Sequence, residues 1–332
     1  MRQEEQKKKR KLGGALAGTA LILALVAALL SRASADFADR WRHLVLADWV
    51  RPLTGLSRAL PLSLAEALGF ALAAALVVVL LRRPRAALRL AAVFLALILA
   101  GPLALWYPLY FAPSGQPYAI GAEADAAALA RLADALVDDL AALDSAVLTS
   151  EALPAQAAAA MAALPELDVP LPDARPQRGL PGWLRVLRLA GFYAPWTAEA
   201  LYADNQPPAA QAFTACHELA HLYGLADEGQ ANVAAFRACA RAGGMLRRSA
   251  DLHALAITLP RLRLQDEAAW ARSASRISAD DRETLSAIGG LTGGRPARNP
   301  ILSAALDWVG IAAETDSYER LADYLAAEWD SI

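Results

Sequence analysis

The stretch CHELAHLYGLADEGQAN, Cys216 to Asn232, decides how the chain is read. His217 and His221 are four residues apart, so on a helix both imidazoles leave one face and can meet a single Zn2+ ion. Glu218 stands beside the first of them, where a carboxylate can take a proton from a water at the metal. The chain has four His and fourteen Glu, and random placement of these would spell H-E-x-x-H in roughly two chains per thousand. The bland alternative is a pair of helix histidines satisfied inside a core. Gly224 can adopt the left-handed backbone that ends a helix, so the chain reverses and returns an acid toward the two rings. Asp227 and Glu228 both qualify as the third ligand. Glu228 and Asn232 are again four apart, which puts Asn232 under the site, able to orient a ligand from behind.

Working outward, Pro207 and Pro208, after Asn205 and Gln206, suit the first turn of the helix that carries the motif. That helix runs to about Tyr223, and a second runs from near Asp227 to Gly243 and Gly244. Upstream, GFYAPWTAEALYA (Gly191 to Ala203) has the aromatic content of an extended or edge strand. Residues 151–182 are rich in Pro and Ala and read as a loop with a short helix. From Glu123 to Ala146, Leu129, Leu132, Leu136, Leu140 and Leu143 recur at helical spacing among Asp125, Asp134, Asp138, Asp139 and Asp144, an amphipathic helix with an acidic face. After the motif the chain reads as mostly helical, with a break at Gly289, Gly290, Gly293 and Gly294 and a last helix from Ser317 to about Glu328. No charge-free run after Phe111 is long enough to span a membrane, so 111–332 is expected to be one globular domain.

Residues 1–110 differ in kind. Through Tyr110 there are 15 Lys and Arg against 6 Asp and Glu, a net of +9; from Phe111 onward there are 17 against 28, a net of −11. Three apolar stretches, near 12–30, 61–81 and 86–107, approach the ~20 residues that a helix needs to cross a bilayer. Trp106, Tyr107, Tyr110 and Phe111 suit an interface belt. Lys7 to Lys11 and the linker bearing Arg82, Arg83, Arg85 and Arg89 are expected to be cytoplasmic. Three crossings then put the later domain outside the cell membrane. Ala33-Ser34-Ala35 resembles a signal-peptidase site, but the preceding apolar core is long for a signal peptide, so an uncleaved anchor is preferred. Mean hydropathy of +0.29 is too high for an ordinary soluble protein. Two cysteines exclude a disulfide scaffold, and the composition excludes disordered and collagen-like classes.

These features together resemble a bacterial family of uncharacterised membrane-anchored HExxH proteins regarded as zincin-like, of gluzincin type. The resemblance rests on the element Pro61, Ser63, Glu66, on FYAPWTAEA, and on FTACHELAHLYG. It continues through E-x-x-A-N (Glu228 to Asn232) with Phe236, and ends at the pair Ser317, Tyr318. Spacing from His217 to Asp227 is similar to peptidases with an Asp third ligand; Glu228 with Asn232 is similar to the gluzincin run. Family members commonly carry a second acid where this chain has Gln230, which argues for Glu228. The resemblance implies a mainly α (α+β) fold, with three transmembrane helices followed by a zincin-like domain with a small edge-stranded sheet. It also implies a zinc metalloendopeptidase that binds Zn2+ through His217, His221 and Glu228. In that reading Glu218 is general base, and Tyr318, or less readily His253, is an oxyanion donor.

The expected partners are a peptide or protein substrate and the lipid bilayer, not nucleic acid. The rival reading is a non-enzymatic zinc-binding receptor or sensor on a membrane anchor. An intramembrane protease is disfavoured, because Asn205, Gln206, Asp227, Glu228 and Gln230 crowd both ends of a short apolar run. Cys216 and Cys239 can pair as a disulfide or remain buried thiols. His43 is read as a membrane-surface residue, and Glu199 as a sheet-surface one.

Overall fold

The computed structural model describes residues 2–60, 62–82, 84–143, 149–171, 174–180, 184, 189–203, 206–289 and 315–329, and of 2–13, 84–87, 89–90 and 315–319 the backbone alone. Pro61, Arg83, Asp144, Asn205, Gly290, Gly293 and Gly294, singled out above, lie outside the described residues. The chain is mainly helical and divides into two compact units. One is Met1–Gly115 with Ala194–Glu199, the other Gln116–Tyr193 with Ala200–Ile332.

The first unit holds α1 (Arg2–Ala33), α2 (Ala35–Leu44), a π-helical turn (Val45–Val50), α3 (Arg51–Ala59), α4 (Leu64–Arg82) and α5 (Pro84–Leu105). Three stretches, Gly14–Ala33, Leu64–Arg82 and Ala91–Phe111, are long and apolar enough to cross a membrane. On α4, Phe70, Val77, Leu80 and Leu81 are exposed, a surface suited to lipid rather than water. Residues 35–59, between the first two apolar stretches, are helical: Ser34 caps α2 by accepting from the Phe37 amide, and Pro52 sits in the first turn of α3.

Polar contacts bind this unit internally. The Trp41 indole donates to the Ala104 carbonyl (2.7 Å), and Asp39 accepts from the Ser114 amide (2.9 Å) and hydroxyl (2.6 Å). The segment 194–199 belongs to the same unit. Trp196 lies so close over Gly101 that a Cβ there would meet the indole nitrogen at 1.8 Å. The Trp49 indole donates to the Pro195 carbonyl at 2.9 Å. Glu199 is not a sheet-surface residue, as its position had suggested. It is 1% exposed, and its carboxylate accepts four hydrogen bonds: from Ser57 Oγ (3.1 Å), Ser63 Oγ (3.3 Å) and the amides of Leu64 (2.7 Å) and Ala65 (2.6 Å). The two amides open α4, where N–H groups lack intrahelical partners and the helix dipole favours negative charge.

The second unit is built from α6 (Ala126–Ala142), α7 (Leu153–Ala162), α8 (Pro208–Leu222), α9 (Glu228–Ala242), α10 (Gly244–Gln265), α11 (Glu267–Ser275), α12 (Ala279–Ile288) and α13 (Thr315–Glu328). A three-stranded sheet accompanies them, with β1 (Pro176–Arg178), β2 (Gly191–Ala194) and β3 (Glu199–Tyr202) in the order β1-β3-β2. β1 runs parallel to β3, with Pro176 opposite Ala200. The single strand expected over Gly191–Ala203 is thus two strands joined by residues 195–198, where Ala198 takes a positive φ of 51°. On α6, Leu129, Leu132, Leu136 and Leu140 are buried, as their spacing predicts. Its acidic face is paired rather than merely solvated: Asp139 meets Arg247, Asp138 meets Arg276, and Asp134 accepts from Ser273 Oγ at 2.8 Å.

Candidate metal centre

Helix α8 carries the HExxH motif in the centre of the second unit; every residue from Ala210 to Leu222 is buried. Pro207 caps the helix and Pro208 is its first residue, a position where a missing N–H costs nothing. Its end is set by Gly224 at φ +82°. The Gly224 amide donates to His221 O (2.9 Å) and the Leu225 amide to Ala220 O (3.1 Å), the paired bonds of a Schellman stop. The reversal turns the Leu225 carbonyl back onto the helix, where it meets His221 Nδ1 at 2.8 Å. Asp227 then caps α9, accepting from the Gln230 amide at 2.9 Å, and Glu228, its first residue, faces the two histidines.

His217 Nε2 lies 3.1 Å from Glu228 Oε2 and His221 Nε2 lies 3.6 Å from Glu228 Oε1. One ligand atom from each of the three residues falls within 4.8 Å of the others, a group that could hold a metal ion. Behind the first ring, His217 Nδ1 meets Asn232 Oδ1 at 2.8 Å, and Asn232 is fully buried one turn along α9 from Glu228. A proton on Nδ1 of each ring satisfies Asn232 and Leu225, leaving both Nε2 lone pairs directed at the acid. That is the arrangement of metal-ligating imidazoles held from behind by hydrogen-bond acceptors. The donor set, two neutral nitrogens and one carboxylate, fits a borderline-soft divalent ion such as zinc.

The electrostatics follow from burial and proximity. Burial raises the Glu218 carboxyl to about 7, although the neighbouring His217 and His221 oppose this. Burial pulls His221 down, but the charge and hydrogen bond of Glu228, with help from Glu218, outweigh it and lift the imidazole to about 9. The Glu228 carboxyl, which burial alone would raise, is held well below the usual range by His221 and His217. With no cation present, His221 therefore holds a proton against Glu228, and a metal ion would take that proton's place as the imidazole becomes neutral.

Beside the site, Gly191 and Tyr193 are read from sequence only as part of the expected strand, and Gln230 only as a departure from the family pattern. Gly191 opens β2 against Glu218: a Cβ on it would lie 2.4 Å from Glu218 Oε1 and 2.6 Å from its Cγ. Tyr193, two residues on, is buried with its ring 6.5 Å from that of His221. Gln230 uses both ends of its amide on one residue, accepting from the Tyr118 amide and donating to the Tyr118 carbonyl, each at 2.9 Å. An isolated Gly inside a strand pattern was the available signal for the first.

Tyr318 lies in the first turns of α13, and its side chain is outside the described residues. His253 on α10 stacks on Phe213 with ring centroids 4.3 Å apart and bonds the Ser249 carbonyl through Nδ1 at 2.9 Å; burial lowers it to about 4, so it is neutral. Cys216 and Cys239 are buried free thiols with sulfurs 3.4 Å apart. A family model described as "Protein of unknown function (DUF3810)" matches residues 45–288. No curated protein and no solved structure matches the chain.

Proposed function

We propose a function for a chain that belongs to the DUF3810 family, whose description assigns none: a membrane-anchored zinc metallopeptidase with a zincin-like catalytic domain. The observation that carries the reading is the convergence of His217 Nε2, His221 Nε2 and the Glu228 carboxylate within 4.8 Å, with Asn232 and the Leu225 carbonyl behind the two rings. Bound there, Zn2+ would supply Lewis acidity toward a scissile carbonyl and toward water. The protein's own part is to hold and move a proton. Glu218, adjacent to His217 and buried, accepts a proton from the attacking water and delivers it to the leaving amine. Its carboxyl, lifted toward neutrality by burial, suits a group that must both accept and release a proton. Asn232 keeps the His217 ring turned so that Nε2 stays available.

Orientation completes the proposal. The basic cluster Lys7 to Lys11 keeps the N-terminus cytoplasmic, and three crossings leave the catalytic domain outside, where a peptide or protein segment is the substrate.

The test uses the full chain purified in detergent. Wild type is expected to carry about one zinc per chain, His221→Ala almost none, and Glu218→Gln the wild-type amount with hydrolysis of labelled casein abolished. Absence of metal from wild type would refute the site. Metal retained by Glu218→Gln with cellular phenotype unchanged would favour a non-enzymatic zinc-binding receptor.

A further inference from the structure

Gly191 presents a puzzle that its backbone does not solve. Glycine weakens a strand, because it has no side chain to pack and loses more conformational freedom on folding than any other residue. Where a positive φ is needed that loss is offset, as at Gly224, Gly243, Gly244 and Gly289; Gly191 is not in that region. The remaining reason for a glycine is room. The room is taken by one side chain: the three atoms nearest a Cβ at 191 are Oε1, Cγ and Cδ of Glu218, at 2.4, 2.6 and 2.8 Å. Three consecutive parts of one side chain inside contact distance mean that rotating the carboxylate tip alone would not clear a methyl group.

Strand alternation explains how the backbone comes so near. Successive residues of β2 point to opposite faces. Phe192 turns to one side, packing with Leu184, Leu201 and Ala203. Gly191 and Tyr193 turn to the other, the first against Glu218 and the second beside His221. The face of β2 that covers the HExxH turn of α8 is therefore bare at one position and aromatic at the next but one.

We infer that Gly191 is a positioning residue for the proposed reaction: its missing side chain is the space in which the Glu218 carboxylate is held against the strand. The inference deepens the metallopeptidase reading, but the contact can be judged without it.

The decisive measurement is a thermal-unfolding cycle on the full chain in detergent. With Glu218 present, Gly191→Ala lowers Tm. With Glu218→Ala the obstacle is gone, and Gly191→Ala becomes neutral or raises Tm, because removing a strand glycine without strain stabilises. Equal shifts in the two backgrounds, or none in either, would overturn the inference. If Gly191→Ala alone does not fold, recovery of folding by Gly191→Ala with Glu218→Ala, which removes Cγ together with the carboxylate, supports the contact, and failure to recover counts against it. The positioning role is read separately. Folded Gly191→Ala retains its zinc by chelator competition and cleaves fluorescein-labelled casein with kcat reduced about 100-fold and KM unchanged, the scale of a displacement near 1 Å. An unaltered kcat in that zinc-loaded variant would end the role. A wild type that cleaves nothing would end the peptidase reading while leaving the unfolding cycle to judge the contact.

Discussion

Around the site, single atoms hold side chains in place. Asn232 touches His217 through one oxygen, so Asn232→Ala is expected to leave Nδ1 without that acceptor and to weaken zinc binding by about 10–100-fold, measured by chelator competition on otherwise folded protein. Gln230 is unreplaceable by its acid, since it must donate as well as accept toward Tyr118. Gln230→Glu should set a carboxylate against a carbonyl and cost about 1–3 kcal/mol, read from chemical denaturation. Asp251 offers a pH test away from the candidate metal ligands. Burial lifts it from 3.8 to about 7, against the pull of Arg247 and with a push from Asp139. Between those values the folded chain keeps a proton that the unfolded chain has released, so stability falls as pH rises through that window. Comparing Tm at pH 5 and 7.5, Asp251→Asn should lose part of that fall; an undiminished slope would contradict the assignment.

At the level of elements, the stop after α8 is the critical one. Gly224→Ala must place a Cβ at φ +82°, which costs about 1–2 kcal/mol, and any relaxation moves the Leu225 carbonyl off His221. Both a lower Tm and weaker metal retention are therefore expected together; loss of one without the other would separate the turn from the site. The motif helix, its glycine end, the following helix and the buried leucines of α6 were legible in sequence, because each rests on local rules of period, capping and backbone freedom. The sheet was not. β1 is three residues long and starts with Pro176, and the break of Gly191–Ala203 into two strands depends on the turn at 195–198 rather than on any Gly or Asn signal. Helices 35–59 escaped because Arg, Asp and Trp interrupt their apolar pattern. Sequence preferred Glu228 to Asp227 only through resemblance, since adjacent acids at a helix start look alike; in the structure Asp227 accepts from the Gln230 amide and Glu228 lies with the two histidines.

Over the whole molecule, the three helices long and apolar enough to cross a membrane fall in the basic part of the chain. Cysteines introduced at exposed positions of the second unit should react with membrane-impermeant maleimide on intact cells if the proposed orientation holds; labelling only after lysis would reverse it. Sequence could not announce that residues 194–199 join the first unit, since chain order puts them some eighty residues beyond it. Glu199→Gln should expose their importance: an amide is a poorer acceptor for two helix-opening N–H groups and two hydroxyls, and a loss of about 1–3 kcal/mol is expected from thermal unfolding in detergent. The same membership bears on how the protein is best handled at the bench. An excised fragment starting after Gly115 would drag an indole and a carboxylate into solvent, stripped of Gly101, the serines and the amides that receive them. Aggregation of such a truncate would reflect amputation, not an inherently unstable fold, and nanodiscs carrying the intact polypeptide are the sounder starting material.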